Sequence, residues 1–397
     1  MIAAEVLIAA LAVPDLLAAS YLTVLSCLSG RLPETKRTRP HVRFDIVVPA
    51  HDERLCIADT VASLHAMDYP RDLVRVIVVA DNCTDDTASR ARRAGAHVLV
   101  RDDEKRRGKG YALAHAFERI LAEGRAGAVV VVDADSIVTP NLLRVFGSFL
   151  DAGAQAVQAE YRPSNPDASW RTRLMSIALG SIHTLRSRAR ERLGVSCGLH
   201  GNGMCFTSAL LRKVPYDAFS ITEDLEYSLR LAEAGHRVVY AAEARVFGDM
   251  PVSERASRTQ RERWEGGRGE MARLHAPGLC KRALKNADSI ALDRAIDLLL
   301  PPLTTIVATL FIGLAACAML SVHAGAVIAA TWLWVASILM VLIYVARGWQ
   351  LSGTGVRGLT AFLHVPIYLV WKLTLPLRRR EHARGEWVRT AREREPQ

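Results

Sequence analysis

The chain has 397 residues, half of them hydrophobic, and a formal net charge of +10 at neutral pH. Its mean hydropathy of +0.12 is high for a fully soluble protein. The seven cysteines stand singly with no C-x-x-C pair, which argues against a structural zinc site and predicts reduced thiols. Positive charge favours anionic partners. Because the basic clusters border apolar segments, we expect a membrane surface with its lipids as the partner and no nucleic acid.

The first 29 residues are apolar and long enough to span a bilayer. A cleaved signal peptide is the alternative interpretation. However, no Lys or Arg precedes the apolar run, and the basic cluster RLPETKRTRPHVR follows it. We therefore expect a transmembrane helix at residues 1–29, with its N-terminus outside the cell, and a basic linker at residues 30–43.

Short β-branched runs alternate with amphipathic stretches between residues 44 and 160. The runs are 44–50, 74–81, 96–101 and 128–135, and the amphipathic stretches lie near 55–66, 84–94, 109–122 and 140–152. This alternation predicts an α/β fold, a nucleotide-binding, doubly wound domain with a mostly parallel sheet, which we place in the cytoplasm at residues 44–280. Neither a dinucleotide-binding G-x-G-x-x-G after the first strand nor a P-loop motif is present.

Further apolar segments follow this domain, at residues 295–322, 326–346 and 359–377. The first two are long enough to span a bilayer. A span at 359–377 would place the basic tail outside the cell, against the positive-inside preference, so an interfacial helix is favoured there. The expected order is an interfacial connection at 281–296, a two-helix transmembrane hairpin at 297–346, and an interfacial helix with a basic cytoplasmic tail at 347–397.

Acidic residues collect where the predicted strands end. Asp52 and Glu53 follow the first strand, Asp81 ends the second, and Asp133 and Asp135 end the fourth. Residues two apart on an extended backbone point to the same side. Mg²⁺ is typically held by one or two carboxylates together with substrate phosphates, so D-A-D predicts a metal that bridges to a diphosphate. A loop aspartate that caps the next helix is the alternative.

The stretch ITEDLEYSLRLAEAGHRV, residues 221–238, allows two interpretations. Glu223 or Asp224 is a candidate general base. Alternatively, Ser220 and Glu223 form a capping box, and acids in the first turn of a helix suit its dipole. The residues alone leave the choice open.

Two basic stretches are candidate phosphate sites. In QRERW (residues 260–264), arginines offer forked donors to phosphate and Trp264 offers an apolar plate for a sugar ring. The alternative is a basic helix on anionic lipid. In RRGKGYAL (residues 106–113), Gly108 and Gly110 let the backbone approach a phosphate and Lys109 supplies charge, although an ordinary helix start would look the same.

The motifs VVPAHDE, VVADNCTDDT, GKGYAL, VVDADS, TEDLEYSLRLAEAGHRV and QRERW occur in this order along the chain. Taken together, the sequence resembles the family 2 inverting glycosyltransferases over roughly residues 44–270. It is most similar to the membrane-bound branch that contains cellulose, chitin, hyaluronan and poly-N-acetylglucosamine synthases. The resemblance implies an A-type glycosyltransferase fold flanked by transmembrane helices.

The resemblance also implies a role for each matching residue. Glu53 and Asp81 would contact the uridine of a nucleotide sugar, with Asp52 nearby, Lys109 near the phosphates and Asp133 against the diphosphate and donor sugar. Asp135 would ligate Mg²⁺ or Mn²⁺, and Asp224 would be the general base. Glu223, Gln260, Arg263 and Trp264 would bind the acceptor end and the leaving diphosphate, and the loop at residues 198–206 would lie beside the donor sugar.

We therefore expect a metal-dependent inverting hexosyl- or N-acetylhexosaminyltransferase, multi-pass in a bacterial-type plasma membrane. It would pass sugar from a UDP-sugar to a growing β-linked polysaccharide. Three spans make a thin channel wall, so polymer export would need a homo-oligomer or an export partner. The alternative is addition of a single sugar to a lipid-linked acceptor. A catalytically silent scaffold is a third hypothesis, which the intact set of Asp135, Asp224 and Arg263 argues against.

Overall fold

The computed structural model describes residues 2–374, without the side chains of residues 255, 259, 262, 263, 265 and 370–374. The part of the predicted basic tail at residues 375–397 lies outside this description. The strands within it are β1 (Phe44–Ala50), β2 (Val74–Asp81), β3 (His97–Arg101), β4 (Ala128–Val131), β5 (Ser136–Val138), β6 (Ala156–Pro163), β7 (Met204–Thr207) and β8 (Val238–Gly248). They form one sheet in the spatial order β3–β2–β1–β4–β7–β6–β8–β5.

The sheet is mixed, with its parallel strands concentrated in the N-terminal half. β1 pairs in parallel with β2 and β4, and β2 pairs in parallel with β3. The apolar runs of β1 and β4 are buried on both faces, as expected for parallel strands covered by helices, whereas β3 at the edge of the sheet is partly exposed. β7 runs antiparallel to β4 and β6, β5 runs antiparallel to β8, and β6 and β8 are parallel. The doubly wound α/β prediction is thus confirmed within a mixed sheet.

Helices cover both faces of the sheet and continue beyond it. In the globular half they are α2 (Ile57–His65), α3 (Thr87–Arg93), α4 (Lys109–Glu123), α5 (Leu142–Asp151), α6 (Trp170–Leu179), α7 (Arg186–Leu193), α8 (Ser208–Lys213), α9 (Glu223–Glu233), α10 (Glu254–Asn286) and α11 (Ser289–Leu299), with α1 (Ile2–Leu28) before them. The C-terminal part contains α12 (Leu303–Ala324), α13 (Ala330–Ser352), α14 (Gly355–Ala361) and α15 (Val365–Thr374). A π-helical turn, Gly180–Leu185, joins α6 to α7.

The prediction of a single strand through residues 128–135 is wrong at its end. β4 stops at Val131, and Asp133 and Asp135 lie in a turn before β5. The turn is closed by the Ser136 amide, which donates to the Asp133 carbonyl at 3.2 Å. The two carboxylates are therefore directed by a turn and not by the alternation of an extended strand.

Three described helices, α1, α12 and α13, are long and apolar enough to cross a membrane, with 27, 22 and 23 residues. They share one apolar core, in which Leu22 and Leu25 of α1 are fully buried. α13 also packs closely on the π-helical turn, since a Cβ at Gly180 would lie 2.8 Å from the Gly348 carbonyl. Small residues at this seam bring the apolar helices directly against the globular half.

Charged side chains are buried where α1 and α13 meet the globular half. Arg190 of α7, 3% exposed, pairs with Asp297 of α11 at 2.6 Å and donates to the Tyr21 hydroxyl of α1 at 2.8 Å. Arg186 pairs with the same aspartate at 3.0 Å and donates to the Tyr344 hydroxyl of α13 at 2.9 Å. Hydroxyl groups from two apolar helices thus complete a charge network of the globular half.

Candidate active site

The carboxyl ends of β1 and β2 hold the first group of predicted site residues. Asp52 adopts a left-handed backbone conformation, with φ +54°, and its carboxylate accepts from the Thr84 amide at 2.7 Å and the Asp85 amide at 3.2 Å. Burial alone would raise the pKa of Asp52, but these hydrogen bonds lower it by more. The pKa of Asp52 is therefore below its usual value. Glu53 follows, and its amide donates to the Thr87 hydroxyl at 2.8 Å.

Asp81, at the end of β2, is held by Arg101 from the neighbouring strand. The guanidinium donates to Oδ1 of Asp81 at 2.6 Å, and both side chains are 8% exposed. Asn82 donates to the same oxygen at 3.2 Å. Asp81 thus lies at the carboxyl end of β2 with its orientation fixed by Arg101, and its contact with the uridine stays a prediction.

Lys109, the first residue of α4, connects the β4 turn with α9. Its ammonium lies 2.6 Å from Asp133 Oδ1 and 3.4 Å from Glu223 Oε1, and it donates to the Gly201 carbonyl at 2.5 Å. Burial lowers the pKa of Lys109, but Asp133 and Glu223 raise it by more. The ammonium is therefore charged and shared between carboxylates from two elements.

The glycines beside Lys109 have separate structural reasons. Gly108 precedes α4 with φ +127°, a conformation that favours glycine. A Cβ at Gly110 would overlap the Ala218 carbonyl. The G-K-G stretch therefore starts a helix at a place where the chain passes closely and puts the lysine into the cleft. Its contact with a phosphate stays a prediction.

Glu223 and Asp224 begin α9, and the capping box predicted for Ser220 and Glu223 is absent. The residue before the helix is Thr222, without a side-chain cap, and the Ser220 amide donates to Glu226 at 2.9 Å. Glu223 is instead directed at Lys109. Asp224 accepts from the Leu225 amide at 2.8 Å. The first turn of this helix thus places two carboxylates in the cleft.

Both of these carboxyl groups are shifted toward protonation. Burial raises the pKa of Glu223 to about 7, with Lys109 opposing the rise and Asp224 adding to it. Burial also raises the pKa of Asp224, again opposed by Lys109. A buried carboxylate with a raised pKa near a charged partner is a common feature of general bases.

The glycine-containing loop at residues 198–203 lies against these groups. Oδ2 of Asp224 would be 3.0 Å from a Cβ at Gly201, whose φ is +79°. Asn202 accepts from the Asp133 amide at 3.1 Å and donates to the Ser136 hydroxyl at 2.7 Å. The loop therefore sets the position of both the Asp133–Asp135 turn and the candidate base.

The donor chemistry at the turn fits a hard divalent cation. Asp133 and Asp135 offer carboxylate oxygens, and Asn202 fixes the backbone that carries them. Mg²⁺ and Mn²⁺ prefer such oxygens and fill their remaining positions with water or phosphate. A different group of potential ligand atoms, from Asp52, Cys83 and Asp85, lies within 4.8 Å of one another in the described chain.

The Q-x-x-R-W residues lie on α10. Trp264 packs against an apolar cluster of Met175, Leu179 and Met250, together with Tyr161. The Gln260 side-chain oxygen is buried and has no hydrogen-bond partner among the described residues. The side chain of Arg263 lies outside the described part of the structure, so its predicted role stays a prediction.

Sequence reasoning missed an aromatic stack behind the glycine-containing loop. The rings of His183 and His200 lie 4.1 Å apart at an angle of 8°, and Tyr161 stacks on His183 at 5.7 Å. Burial lowers the pKa of His183 to about 4, with a further contribution from Arg186. His200 lies inside the quoted loop, but His183 and Tyr161 follow no motif, so only the fold brings them here.

A family model described as glycosyltransferase-like family 2 matches residues 40–267, more than half of the chain. A probable glycosyltransferase of Bacillus subtilis (strain 168) is 24% identical over 236 residues, 57% of this chain and 55% of that protein. The UDP-forming cellulose synthase catalytic subunit of Pseudomonas fluorescens (strain SBW25) is 26% identical over 269 residues, 63% of this chain and 34% of that protein. The β-monoglucosyldiacylglycerol synthase of Synechocystis sp. (strain ATCC 27184 / PCC 6803 / Kazusa) is 29% identical over 247 residues, 58% of this chain and 49% of that protein.

The chain therefore spans about half the length of these relatives, or less. Among solved structures, the mannosyltransferase of Pyrobaculum calidifontis, in complex with GDP-mannose and Mn²⁺, has a TM-score of 0.57 and 20% identity, and covers 87% of this chain and 98% of its own. This likeness shows an A-type glycosyltransferase fold with a mixed α/β sheet. With the family model matched across the whole globular sheet, the protein belongs to the family 2 glycosyltransferases.

Proposed function

We propose that the protein is a membrane-embedded inverting glycosyltransferase that passes a sugar from a UDP-sugar to a growing polysaccharide. The observation that carries this proposal is the arrangement around Lys109, where Asp133 and Glu223 share one ammonium and Asp224 lies beside Gly201. Several relatives support the substrate class, since one is a UDP-forming cellulose synthase subunit and others are glucomannan 4-β-mannosyltransferases.

The donor would lie across the carboxyl ends of β1, β2 and β4. Asp52, Glu53 and Asp81 would receive the uridine and ribose, since carboxylates accept hydrogen bonds from N–H and hydroxyl groups. Lys109 would offset part of the diphosphate charge. Asp135 would hold Mg²⁺ or Mn²⁺ with water and phosphate oxygens, and the ion would supply stabilisation of the leaving diphosphate. These positions are inferred from the site geometry and the family.

The reaction would be a single displacement. Asp224 would take the proton from the acceptor hydroxyl as its oxygen attacks the anomeric carbon, and the bond to the nucleoside diphosphate would break. One displacement inverts the anomeric centre, so an α-linked donor gives a β-linked product. Lys109 keeps a positive charge near Asp224 and thereby favours its ionised form, which is the form that accepts a proton. Gln260, Arg263 and Trp264 would line the acceptor side.

A second candidate function is addition of one sugar to a lipid-linked acceptor. It is favoured by the described membrane part, in which three helices are long and apolar enough to cross a bilayer. One relative is a β-monoglucosyldiacylglycerol synthase. Polymer export through so few helices would require a homo-oligomer or an export partner.

The decisive experiment is UDP release by the purified, detergent-solubilised protein with Mg²⁺ or Mn²⁺, across a panel of UDP-sugars. We expect turnover of one donor that needs the metal and falls at least about a hundredfold in Asp224→Asn, because general-base catalysis contributes 10²–10⁴. Asp217→Asn is the matched control, since Asp217 is an exposed acid whose ion pair in the described part of the chain is with Arg230 at 3.9 Å.

The outcomes separate the hypotheses. Turnover that persists in Asp224→Asn would reject this base, and an unchanged cellular phenotype of the same variant would favour the scaffold hypothesis. A protein that binds none of the donors would reject glycosyl transfer. The size of the product on a gel separates polymer synthesis from single addition.

A further inference from the structure

A fully buried glutamine of β6, Gln158, lies behind the glycine-containing loop at residues 198–203. It belongs to none of the six motifs that carry the family resemblance. A buried side-chain amide needs hydrogen-bond partners for both its oxygen and its nitrogen. The partners of Gln158 therefore show which part of the molecule it supports.

The loop has a backbone that cannot satisfy itself by regular pairing. Gly198, Gly201 and Gly203 have φ of +83°, +79° and +67°, all in the left-handed region. Three such residues within six exclude a helix or a strand over this stretch. Because the polar groups of a buried irregular segment still need partners, side chains from elsewhere have to supply them.

Gln158 supplies both an acceptor and donors. Its Oε1 accepts from the His200 amide at 2.9 Å, and its Nε2 donates to the Asn202 carbonyl at 2.7 Å. Nε2 also donates to the carbonyls of Ala159 at 2.8 Å and Gly203 at 3.4 Å. A backbone N–H only donates and a carbonyl only accepts, so these partners fix the orientation of the side-chain amide. One side chain thus connects both ends of the stretch at residues 200–203.

This stretch contacts two parts of the candidate active site. Asn202 accepts from the Asp133 amide at 3.1 Å and donates to the Ser136 hydroxyl at 2.7 Å, so it contacts both ends of the turn after β4. The Gly201 carbonyl accepts from the Lys109 ammonium at 2.5 Å. A displacement of residues 200–203 would therefore move the turn and the lysine together.

We propose that Gln158 is a positioning residue for the proposed metal site. It binds the backbone carbonyl of Asn202, and the side chain of Asn202 then keeps the Asp133–Asp135 turn in the arrangement that receives Mg²⁺ or Mn²⁺. Gln158 itself touches neither metal nor substrate. The inference rests on the proposed function, because it needs a metal and a nucleotide at this turn. The alternative is a purely structural role, in which Gln158 only joins β6 to the loop.

The test is a titration of the purified full chain with Mn²⁺ at a fixed concentration of UDP, with the free ion measured by electron paramagnetic resonance. After subtraction of the Mn²⁺ that UDP binds alone, the titration gives the number of sites per chain and the Kd. A poorly folded variant loses sites, whereas a misplaced turn raises the Kd. In Gln158→Met, which keeps the length without the amide, we expect the Kd to rise about tenfold, the lower end of the effect of outer-shell partners.

Ser208→Ala is the matched control. The Ser208 hydroxyl is buried and donates to the Ala126 carbonyl at 2.6 Å, before the start of β4 and thus at the opposite end of that strand from the turn. Its loss should lower the unfolding temperature and leave the Kd unchanged. An equal rise of the Kd in Ser208→Ala and Gln158→Met would overturn the inference, because it would show a general loss of stability.

A milder variant guards against a folding defect in Gln158→Met. Gln158→Asn keeps an amide but is shorter by one methylene, so it cannot reach both ends of the stretch, and the Kd should rise by less than in Gln158→Met. An unchanged Kd in Gln158→Asn together with a loss of sites in Gln158→Met would overturn the inference in favour of the structural role.

A double variant tests the route through Asn202. Gln158→Met/Asn202→Ala should bind Mn²⁺ about as weakly as Asn202→Ala alone, because Gln158 then has no side chain through which to act on the turn. A Kd raised by the product of the two single effects, or an unchanged Kd in Gln158→Met, would overturn the inference and leave the proposed function in place. An unaltered protein that binds no Mn²⁺ with UDP would reject both.

Discussion

Lys109 sets the charge balance of the candidate active site. It is the cation that the described structure places between Asp133 and Glu223, at 2.6 and 3.4 Å. Without it, three acidic side chains, from the turn after β4 and from α9, would face one another in the cleft, and desolvation would protonate some of them. The lysine therefore has a role even before a nucleotide arrives, since it keeps the candidate base close to its ionised form.

The pH dependence of transfer should report the pair Glu223 and Asp224. Because the pKa of Glu223 is about 7 and that of Asp224 is raised, activity should fall as the pH drops through the range in which this pair takes up a proton. Glu223→Gln removes one negative charge beside Asp224, so its proton binds less tightly and the acidic limb should move to lower pH. The measurement is kcat/KM for the donor against pH. Asp217→Asn should leave the limb in place, and an unmoved limb in Glu223→Gln would contradict the coupling.

Gly201 should be intolerant of a side chain because of its neighbour and not only because of its backbone. The added methyl of Gly201→Ala would lie 3.0 Å from Oδ2 of Asp224 and 3.7 Å from the Lys109 ammonium. We expect transfer to fall at least tenfold, with donor binding affected less. Gly194→Ala is the control, since Gly194 also has positive φ, +72°, but nothing lies within 4 Å of its added methyl. Equal activities of the two variants would reject this explanation.

Several site residues could be predicted from the sequence because they stand in local motifs, Asp133 just after β4 and Lys109 and Asp224 at the starts of α4 and α9. Their approximate neighbourhood follows from the rule that ligands lie at the carboxyl ends of parallel strands. Their partners could not be predicted. The contact of Lys109 with Glu223 joins residues far apart in the chain, and Asn202 acts through a loop whose conformation depends on its glycines. The predicted roles of Gln260 and Trp264 stay predictions.

At the scale of helices, buried charges join α7, α11 and α1. Asp297 is surrounded by Arg186, Arg190 and Arg294. Burial raises its pKa, but the surrounding guanidiniums lower it well below its usual value. A carboxyl group with a depressed pKa stabilises the fold above its unfolded pKa, and this stabilisation is lost as the pH falls through the folded pKa.

Loss of Asp297 should therefore be costly. Asp297→Ala leaves buried guanidiniums without their common partner, and we expect a loss of about 3–5 kcal/mol in the free energy of unfolding. The comparison is Glu34→Ala, which removes an exposed pair with Arg31, 68% and 82% exposed, and should cost less than about 1 kcal/mol. Thermal unfolding in detergent measures both. Similar unfolding temperatures would show that the network contributes little.

Elements were predictable where periodicity is regular. β1 and β2 match their predicted bounds, because continuous β-branched runs mark buried parallel strands. β7, with four residues, and β5, with three, carry too short a pattern to be recognised. Both are antiparallel strands whose pairing partners, β4 and β8, lie far away in sequence. The capping box at Ser220 failed because Glu226 takes the amide that the box would have used.

For the whole molecule, the seam between α13 and the π-helical turn determines how the globular half is attached. In Gly348→Leu the new side chain would overlap Ser181, so α13 would be pushed away from the turn. We expect a lower unfolding temperature together with reduced transfer. Leu342→Phe, at a position of α13 that is 56% exposed, enlarges a side chain away from the seam and should change neither. A Gly348→Leu protein with an unaltered unfolding temperature would contradict this, because it would show that α13 and the π-helical turn accommodate the larger side chain.

The membrane arrangement was predicted from apolar length and from basic clusters. The described helices α1, α12 and α13 are long and apolar enough to span, in agreement with that expectation. The cytoplasmic placement of residues 44–280, the orientation of the helices and the interfacial helix at 359–377 stay predictions. Length and hydropathy do not specify which helices touch, and the contacts of α1 with α13 depend on side chains from both ends of the chain.

The contacts of α1 matter for biosynthesis, because its partners are made later. Tyr21 accepts a hydrogen bond from Arg190, and Leu22 and Leu25 lie in the apolar core that α1 shares with α13. α13 leaves the ribosome roughly 300 residues after α1, and at about 5–20 residues per second this delay is about 15–60 s. With α1 as a span, as the sequence predicts, we expect it to stay in the bilayer without its partner helix during that time, with Glu5 and Asp15 exposed to lipid or to the insertion machinery. Expression of the protein should therefore depend on factors that shield α1 until α13 has been made, and more so where elongation is slow.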